Sequence, residues 1–215
     1  MATILVYNQD TNKIEKYVRD LNDSMPYVTG NTLTVDEFQG SSKSDIIWTT
    51  KAFMEAWNSL RRQWGKPIYV GYAFKRIWQG GHSGMSQHYA GLAMDTAQTF
   101  SNASRNRLRE LAIDSRLFTY VEPKALTPTW VHFDKRYGTP ACSTGGYPVI
   151  RFRSRGVYVM VLQDALGYLG YSTGGIDGIF GNKTLNAVKA FQRANNLAAD
   201  GIVGCGTWRK LTNKF

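Results

Sequence analysis

The sequence of 215 residues is poor in cysteine and histidine. Its two cysteines, Cys142 and Cys205, form no CxxC pair, which argues against a thiolate zinc site and excludes a fold held by many disulfides. A single bridge between them remains open, because spacing alone does not decide it. The three histidines are His82, His88 and His132, so a site built on imidazole must draw on these positions.

Several other signals are missing. The chain has no apolar run of about 20 residues, so we expect no membrane span. The N-terminus lacks a basic stretch followed by an apolar stretch, which predicts synthesis in the cytoplasm without a Sec signal peptide. Despite a formal net charge of +10, no nucleic-acid-binding signature is present, and we expect no nucleic acid partner. No heptad pattern is evident, which favours a monomer.

The hydrophobic content of 43% is enough for a core. In the first part of the chain, apolar residues at helical spacing predict helices over 45–64 and 103–114. Short runs rich in β-formers predict strands at 2–8, 31–38, 67–74 and 130–134. The mixture indicates an α+β fold.

A stretch rich in Gly, Pro, Ser and Thr covers 137–149 and is the best candidate for a linker. We therefore divide the chain into domains at 1–145 and 146–215. The second part predicts three helices, marked by apolar residues between 159 and 169, between 185 and 191, and between 207 and 211. Two DGxxG turns, at 177–181 and 200–204, form an internal repeat in which the Asp closes the turn and glycine permits positive φ.

Two motifs carry candidate chemistry. Residues 86–95 have the form SxHxxGxAxD, and residues 130–136 have the form WxHxDxR. A catalytic zinc takes three protein ligands and keeps a position open, and neutral imidazole and carboxylate suit it. His88, Asp95 and His132 are the candidate ligands. Asp134 lies two residues after His132 on a predicted strand, so both side chains face the same way.

Together the two motifs resemble the zinc D-Ala-D-Ala carboxypeptidase and L-Ala-D-Glu endopeptidase family of peptidoglycan peptidases, over residues 70–136. The resemblance implies Zn²⁺ bound by His88, Asp95 and His132. It also implies a small α+β domain around an antiparallel sheet. The expected reaction is hydrolysis of a peptide bond in the stem or cross-link of the bacterial cell wall.

The general base is a point of departure from this family. Many relatives carry Glu or Asp three residues before the last His, where this chain has Thr129. Glu122 and Asp134 are the two replacements, and both remain open. Asp134 has the alternative of orienting His132 or pairing with Arg136.

A second departure concerns the family's SGYR-like turn, where this chain has Ala73 in place of Arg. Lys75 or Arg76 then becomes the candidate for the missing positive charge, and we place Arg76 among the catalytic residues. Ser86 and His82, in the Gly-rich loop before His88, are candidates for substrate binding.

Residues 162–208 are similar to the three-helix peptidoglycan-binding domain. The two resemblances imply one partner, peptidoglycan, and an all-α domain that follows the zinc peptidase. We expect the chain to act at the wall after release or non-Sec export. The alternative is a non-catalytic wall-binding protein with a degenerate peptidase domain, motivated by Thr129 and Ala73.

Overall fold

The structure is a computed structural model of the chain, and it describes residues 1–142 and 146–215. The described part has an α+β fold with two sheets and six α-helices. The strands are β1 Ala2–Asn8, β2 Lys13–Arg19, β3 Ile46–Thr50, β4 Val70–Tyr72, β5 Ala93–Thr96, β6 Tyr120–Val121 and β7 Val131–Asp134. The helices are α1 Val35–Gln39, α2 Lys51–Trp64, α3 Asn102–Asp114, α4 Val157–Tyr168, α5 Asn182–Ala194 and α6 Cys205–Thr212. None of these described helices is long and apolar enough to cross a membrane.

The four-stranded sheet, in the order β4-β5-β7-β6, is antiparallel as expected. The three-stranded sheet, in the order β2-β1-β3, is mixed, because β1 pairs antiparallel with β2 and parallel with β3. Strand β2 was not predicted. The expected strand over 67–74 is reduced to the three residues of β4.

Two predicted elements are wrong in type. Residues 46–50 form β3 and not the first turns of a helix, because their β-branched side chains favour a strand that pairs with β1. The helix starts only after Thr50, whose side chain accepts a hydrogen bond from the Phe53 amide. The segment predicted as a strand at 31–38 instead contains α1. A reciprocal capping box between Thr34 and Glu37 starts that helix.

The DGxxG repeat is confirmed, and each copy is held by a buried glutamine of the preceding helix. Gln163 Nε2 donates to Asp177 Oδ1 at 2.8 Å, and Gln192 Nε2 donates to Asp200 Oδ1 at 3.0 Å. In each turn the following glycine donates its amide to the same glutamine at 2.9 Å. Those glycines have φ of 69° and 78°, a conformation that glycine adopts without a steric penalty.

The C-terminal helices pack against the rest of the chain. The buried apolar residues form one cluster that includes Trp48 of β3, Phe133 of β7 and Leu162 of α4. The predicted linker also contributes, since Tyr147 is fully buried. The boundary predicted between 145 and 146 falls on residues 143–145, which lie outside the described residues, so the division into domains stays a prediction.

A disulfide joins Cys142 to Cys205, the first residue of α6. Because it closes a loop with a sequence separation of 63, we expect Cys142→Ala together with Cys205→Ala to lower the free energy of unfolding by about 2–4 kcal/mol. Urea denaturation measures the change. Reductant should shift the wild-type midpoint and leave the double variant unaffected. Equal midpoints for the two proteins would contradict a stabilising role.

Candidate metal centre and cleft

Strand pairing brings two of the predicted ligands together. In the register of β5 and β7, Asp95 lies directly opposite His132. Side chains opposite each other in an antiparallel pair share one face of the sheet. His132 Nδ1 and Asp95 Oδ1 are 2.7 Å apart. Residues 37 positions apart in sequence are thus placed in direct contact by the sheet.

His88 reaches the same face from the turn that precedes β5. Its Nδ1 lies 2.8 Å from the Ala73 carbonyl oxygen, and its Nε2 lies 3.5 Å from Asp95 Oδ2. The turn depends on Gly91, which has φ of 66°. A Cβ at Gly91 would lie 1.8 Å from the Trp48 carbonyl oxygen, so only glycine fits this close approach.

The donor set fits a zinc ion. One ligand atom from each of His88, Asp95 and His132 lies within 4.8 Å of the others. The carbonyl of Ala73 suits Nδ1–H of His88, a tautomer that leaves the Nε2 lone pair directed at Asp95. Two imidazoles and a carboxylate are ligands that zinc accepts in catalytic sites.

The charges at the site favour a cation. Burial raises the pKa of Asp95, but hydrogen bonds from His132 and His88 outweigh this and hold it far below its usual range. Burial lowers the pKa of His132, yet hydrogen bonds to Asp134 and Asp95 raise it to about 9. The carboxylates therefore stabilise positive charge at this position, which is the electrostatic requirement of a metal centre.

Asp134 is fully buried, and both of its carboxylate oxygens interact with Arg136. Its Oδ1 accepts hydrogen bonds from Arg136 Nε at 2.7 Å and from the Arg136 amide at 3.1 Å, and its Oδ2 pairs with the same guanidinium. Oδ2 also lies 3.5 Å from His132 Nε2. This arrangement suits a residue that orients His132 more than one that carries protons to a substrate.

Glu122 neighbours His132 where β6 pairs with β7. It follows β6, and its amide donates to the His132 carbonyl oxygen at 2.9 Å. Unlike Asp134, Glu122 is partly exposed, and it lines the same cleft as the three candidate ligands. Its placement suits a carboxylate that exchanges protons with a bound molecule.

Arg109 is a residue that the sequence motifs did not point to. It is buried in α3 and donates to three carbonyl oxygens: that of Glu122 at 3.1 Å, that of Thr127 at 2.7 Å and that of Trp130 at 2.6 Å. It thereby holds the segment that carries Glu122 against the sheet. The available signal was its position beside Leu108 and Ala112 on the apolar face of the helix.

We expect Arg109→Met to release the 122–130 segment, because three carbonyls lose a charged donor. The free energy of unfolding should fall by about 1–3 kcal/mol. Amide hydrogen exchange should rise across that segment. Arg107→Met, at an exposed position of the same helix, is the matched control and should change neither quantity. Unchanged exchange in Arg109→Met would show that the segment is held by other contacts.

Arg76 is placed differently from the prediction. Its guanidinium forms an ion pair with the buried Asp164 of α4 and donates to Ser44 Oγ at 3.0 Å. It does not belong to the residues that line the cleft around His88. The observed contacts of Arg76 are structural, since its charge is paired with Asp164, and its catalytic role stays a prediction.

Ser86 and His82 do line this cleft. Ser86 Oγ accepts a hydrogen bond from the His88 amide at 3.3 Å, and its carbonyl oxygen accepts one from Tyr147 at 2.6 Å. The His82 ring stacks on His88 with 4.6 Å between ring centres, and burial lowers the pKa of His82 to about 4. Their proposed contacts with substrate stay predictions.

The cleft has a volume of about 920 Å³ and is lined from two parts of the chain. The metal-site side comprises the three candidate ligands, the 82–87 loop, Tyr120, Glu122, Trp130, Asp134 and Arg136. A second group of lining residues, from the C-terminal part of the chain, comprises Cys142, Gly146, Arg209, Thr212 and Asn213.

Comparison with known proteins concerns the C-terminal part. Residues 155–211 match the family described as "Putative peptidoglycan binding domain". The chain carries a peptidoglycan-binding domain. Its three helices and both DGxxG turns lie almost entirely within the matched residues.

Relatives share this region. The N-acetylmuramoyl-L-alanine amidase CwlL of Bacillus licheniformis is 43% identical over 74 residues, which cover 32% of this chain and 21% of the relative. The amidase CwlM of Mycobacterium tuberculosis is 51% identical over 53 residues, covering 25% of this chain and 13% of the relative. An uncharacterized protein of Kitasatospora aureofaciens is 42% identical over 81 residues, covering 34% of this chain and 66% of the relative.

A crystal structure of a peptidoglycan-binding protein from Clostridioides difficile is 50% identical and covers 30% of this chain and 40% of that chain, with a TM-score of 0.29. The matched part of this chain spans about a fifth of the length of CwlL, the first relative given above. The similarity to the named amidases is confined to the binding-domain region.

Proposed function

We propose that this protein is a zinc-dependent peptidase that hydrolyses stem or cross-link peptide bonds of peptidoglycan, with its C-terminal domain attached to the wall. The observation that carries the proposal is the convergence of His88, Asp95 and His132 at a cleft, with ligand atoms within 4.8 Å of one another. The peptidoglycan-binding domain supports the choice of polymer.

In this proposal His88 Nε2, an Asp95 carboxylate oxygen and His132 Nδ1 hold the metal. A zinc ion in such a set supplies Lewis-acid polarisation of a carbonyl group and a nucleophile at neutral pH. Glu122 accepts the proton of the attacking water and delivers it to the leaving amine. Asp134 fixes the orientation of His132 from behind, and Arg136 holds Asp134 in place.

The setting belongs to the same proposal. We infer that the protein acts at the bacterial cell wall. The disulfide between Cys142 and Cys205 supports action outside the reducing cytoplasm. The net charge of +10 favours retention on an anionic wall.

The test is digestion of purified peptidoglycan sacculi, with and without a chelator, followed by mass spectrometry of the new termini. We expect fragments that disappear with the chelator and return when zinc is added. The termini also identify the bond. New termini at a bond within the stem or cross-link peptide indicate a peptidase. A free lactyl carboxylate on the glycan, together with an intact stem peptide, indicates the amidase reaction named in the relatives.

A non-catalytic wall-binding protein is the second candidate. It is favoured by Thr129, which is exposed and lies outside the described residues that line the cleft. Ala73, in contrast, has a definite role through its backbone, because its carbonyl oxygen contacts His88. Zinc content and sedimentation with sacculi, without any new termini, would establish this second function.

A further inference from the structure

Helix α6 of the peptidoglycan-binding domain forms one side of the cleft that contains the metal site. Arg209, Thr212 and Asn213, at the end of this helix, line the same cleft as Glu122 and His132. A domain that served for attachment alone would have no need to contribute side chains there. The placement therefore raises the question of what these residues bind.

The position of α6 is fixed by contacts at its first residue and near its middle. Its first residue, Cys205, is bonded to Cys142. Trp208 Nε1 donates to the Pro148 carbonyl oxygen at 2.9 Å, and its ring packs edge-on against Tyr147 at 5.0 Å. The helix is therefore attached to the preceding part of the chain at these two residues.

The same helix contacts the Gly-rich loop of the metal site. A Cβ at Gly84 would lie 2.8 Å from Thr212 Oγ1, so loop and helix touch with no space between them. Tyr147, which packs on Trp208, donates to the Ser86 carbonyl oxygen at 2.6 Å. The loop that precedes His88 is thus shaped by the binding domain.

Arg209 is the distinctive charge on this wall. The arginine and lysine residues among the described residues that line the cleft are Arg136 and Arg209. Arg136 forms an ion pair with the buried Asp134, whereas no ion pair found among the described residues includes Arg209. Arg209 is exposed at the cleft, so its planar guanidinium is available for two parallel hydrogen bonds to a carboxylate.

We propose that Arg209 binds a carboxylate of the peptide substrate and that α6 is the substrate-binding wall of the cleft. The proposal rests on the proposed function, in which stem peptides with free carboxylates are the substrate. It gives the C-terminal domain a part in catalysis on short soluble peptides, in addition to attachment to the polymer.

The experiment uses the full-length, zinc-loaded protein and two synthetic probes. One is a stem pentapeptide with free carboxylates, and the other is its analogue with every carboxylate amidated. Cleavage is followed by mass spectrometry, and binding is followed by calorimetry in a Glu122→Gln background, in which the peptide is not consumed. We expect Arg209→Ala to weaken binding of the free peptide by about 10- to 100-fold and to raise KM more than it lowers kcat.

Three comparisons make the test specific. The amidated peptide should bind equally well to the Glu122→Gln protein with Arg209 and to the one that also carries Arg209→Ala. Arg209→Lys should recover part of the affinity for the free peptide that Arg209→Ala loses. Lys210→Ala removes a neighbouring exposed charge outside the cleft-lining residues and should have no effect. Zinc content and the unfolding midpoint of Arg209→Ala should match the wild type.

The inference is overturned if Arg209→Ala leaves the affinity for the free peptide unchanged, or if it lowers the affinities for the free and the amidated peptide equally. It is also overturned if the protein with Arg209 binds neither peptide. The experiment can reject this inference without rejecting the proposed function, and the reverse. Arg209-dependent binding without cleavage by the wild type would retain the substrate-binding wall and reject the peptidase. Cleavage that is unaffected by Arg209→Ala would support the peptidase and reject α6 as a substrate-binding element.

Discussion

We expect the His88→Ala protein to retain no stoichiometric zinc and to release no fragments from sacculi. The reason is that the remaining set, Asp95 and His132, has two ligands where a catalytic zinc site uses three. Metal analysis after dialysis measures the zinc, and mass spectrometry of digested sacculi measures the hydrolysis. Added zinc should not rescue the variant, in contrast to wild type stripped by a chelator.

His82→Ala is the matched control. His82 stacks on His88 but does not belong to the ligand group found among the described residues, so this variant should keep its zinc. Loss of zinc from His82→Ala, or full zinc content in His88→Ala, would show that the ligand set has been assigned incorrectly. Sedimentation with sacculi should be unaffected in both, because the binding domain is intact.

The second large effect is expected at Glu122. We expect Glu122→Gln to lower kcat by about 10²- to 10⁴-fold while zinc content stays at the wild-type level, since the amide cannot accept the proton of the attacking water. The substitution is nearly isosteric, and it preserves the hydrogen bond from the backbone N–H of residue 122 to the His132 carbonyl oxygen. Single-turnover hydrolysis of a stem peptide measures the change.

Asp134→Asn is the comparison that assigns the base. Since Asp134 lies beside His132 and pairs with Arg136, its loss should lower zinc affinity by about 10- to 100-fold. Excess zinc should therefore restore much of the activity. If Asp134→Asn is instead inactive at full zinc occupancy while Glu122→Gln is active, Asp134 is the base.

Much of the fold followed from local patterns. Helices α3, α4, α5 and α6 were predicted because apolar residues recur at helical spacing and each helix has one packed face. The strands around 46–50 and 13–19 were missed. The first continues into a helix with the same apolar content, and the second is a largely exposed partner of β1. Pairing with β1 stabilises both strands, and at 46–50 the β-branched side chains favour a strand as well.

The assignment of roles depended on burial and charge pairing. The sequence left Glu122 and Asp134 open, since both are carboxylates near the second motif. Both carboxylates line the cleft, but Asp134 is fully buried and paired with Arg136, whereas Glu122 is partly exposed. The ion pair of Arg76 could not be predicted from the sequence either, because its partner, Asp164, is 88 residues away. No pattern within a short window reports such a pairing.

By itself, the sequence determined the candidate ligands, the two DGxxG turns and the C-terminal helices, because motif spacing and periodicity are properties of neighbouring residues. Only the tertiary structure decided that Cys142 and Cys205 are paired, that Arg109 holds the Glu122 segment, and that α6 lines the cleft. Each of these depends on contacts between segments far apart in the chain. Such contacts arise from packing of the whole core, which local sequence does not encode.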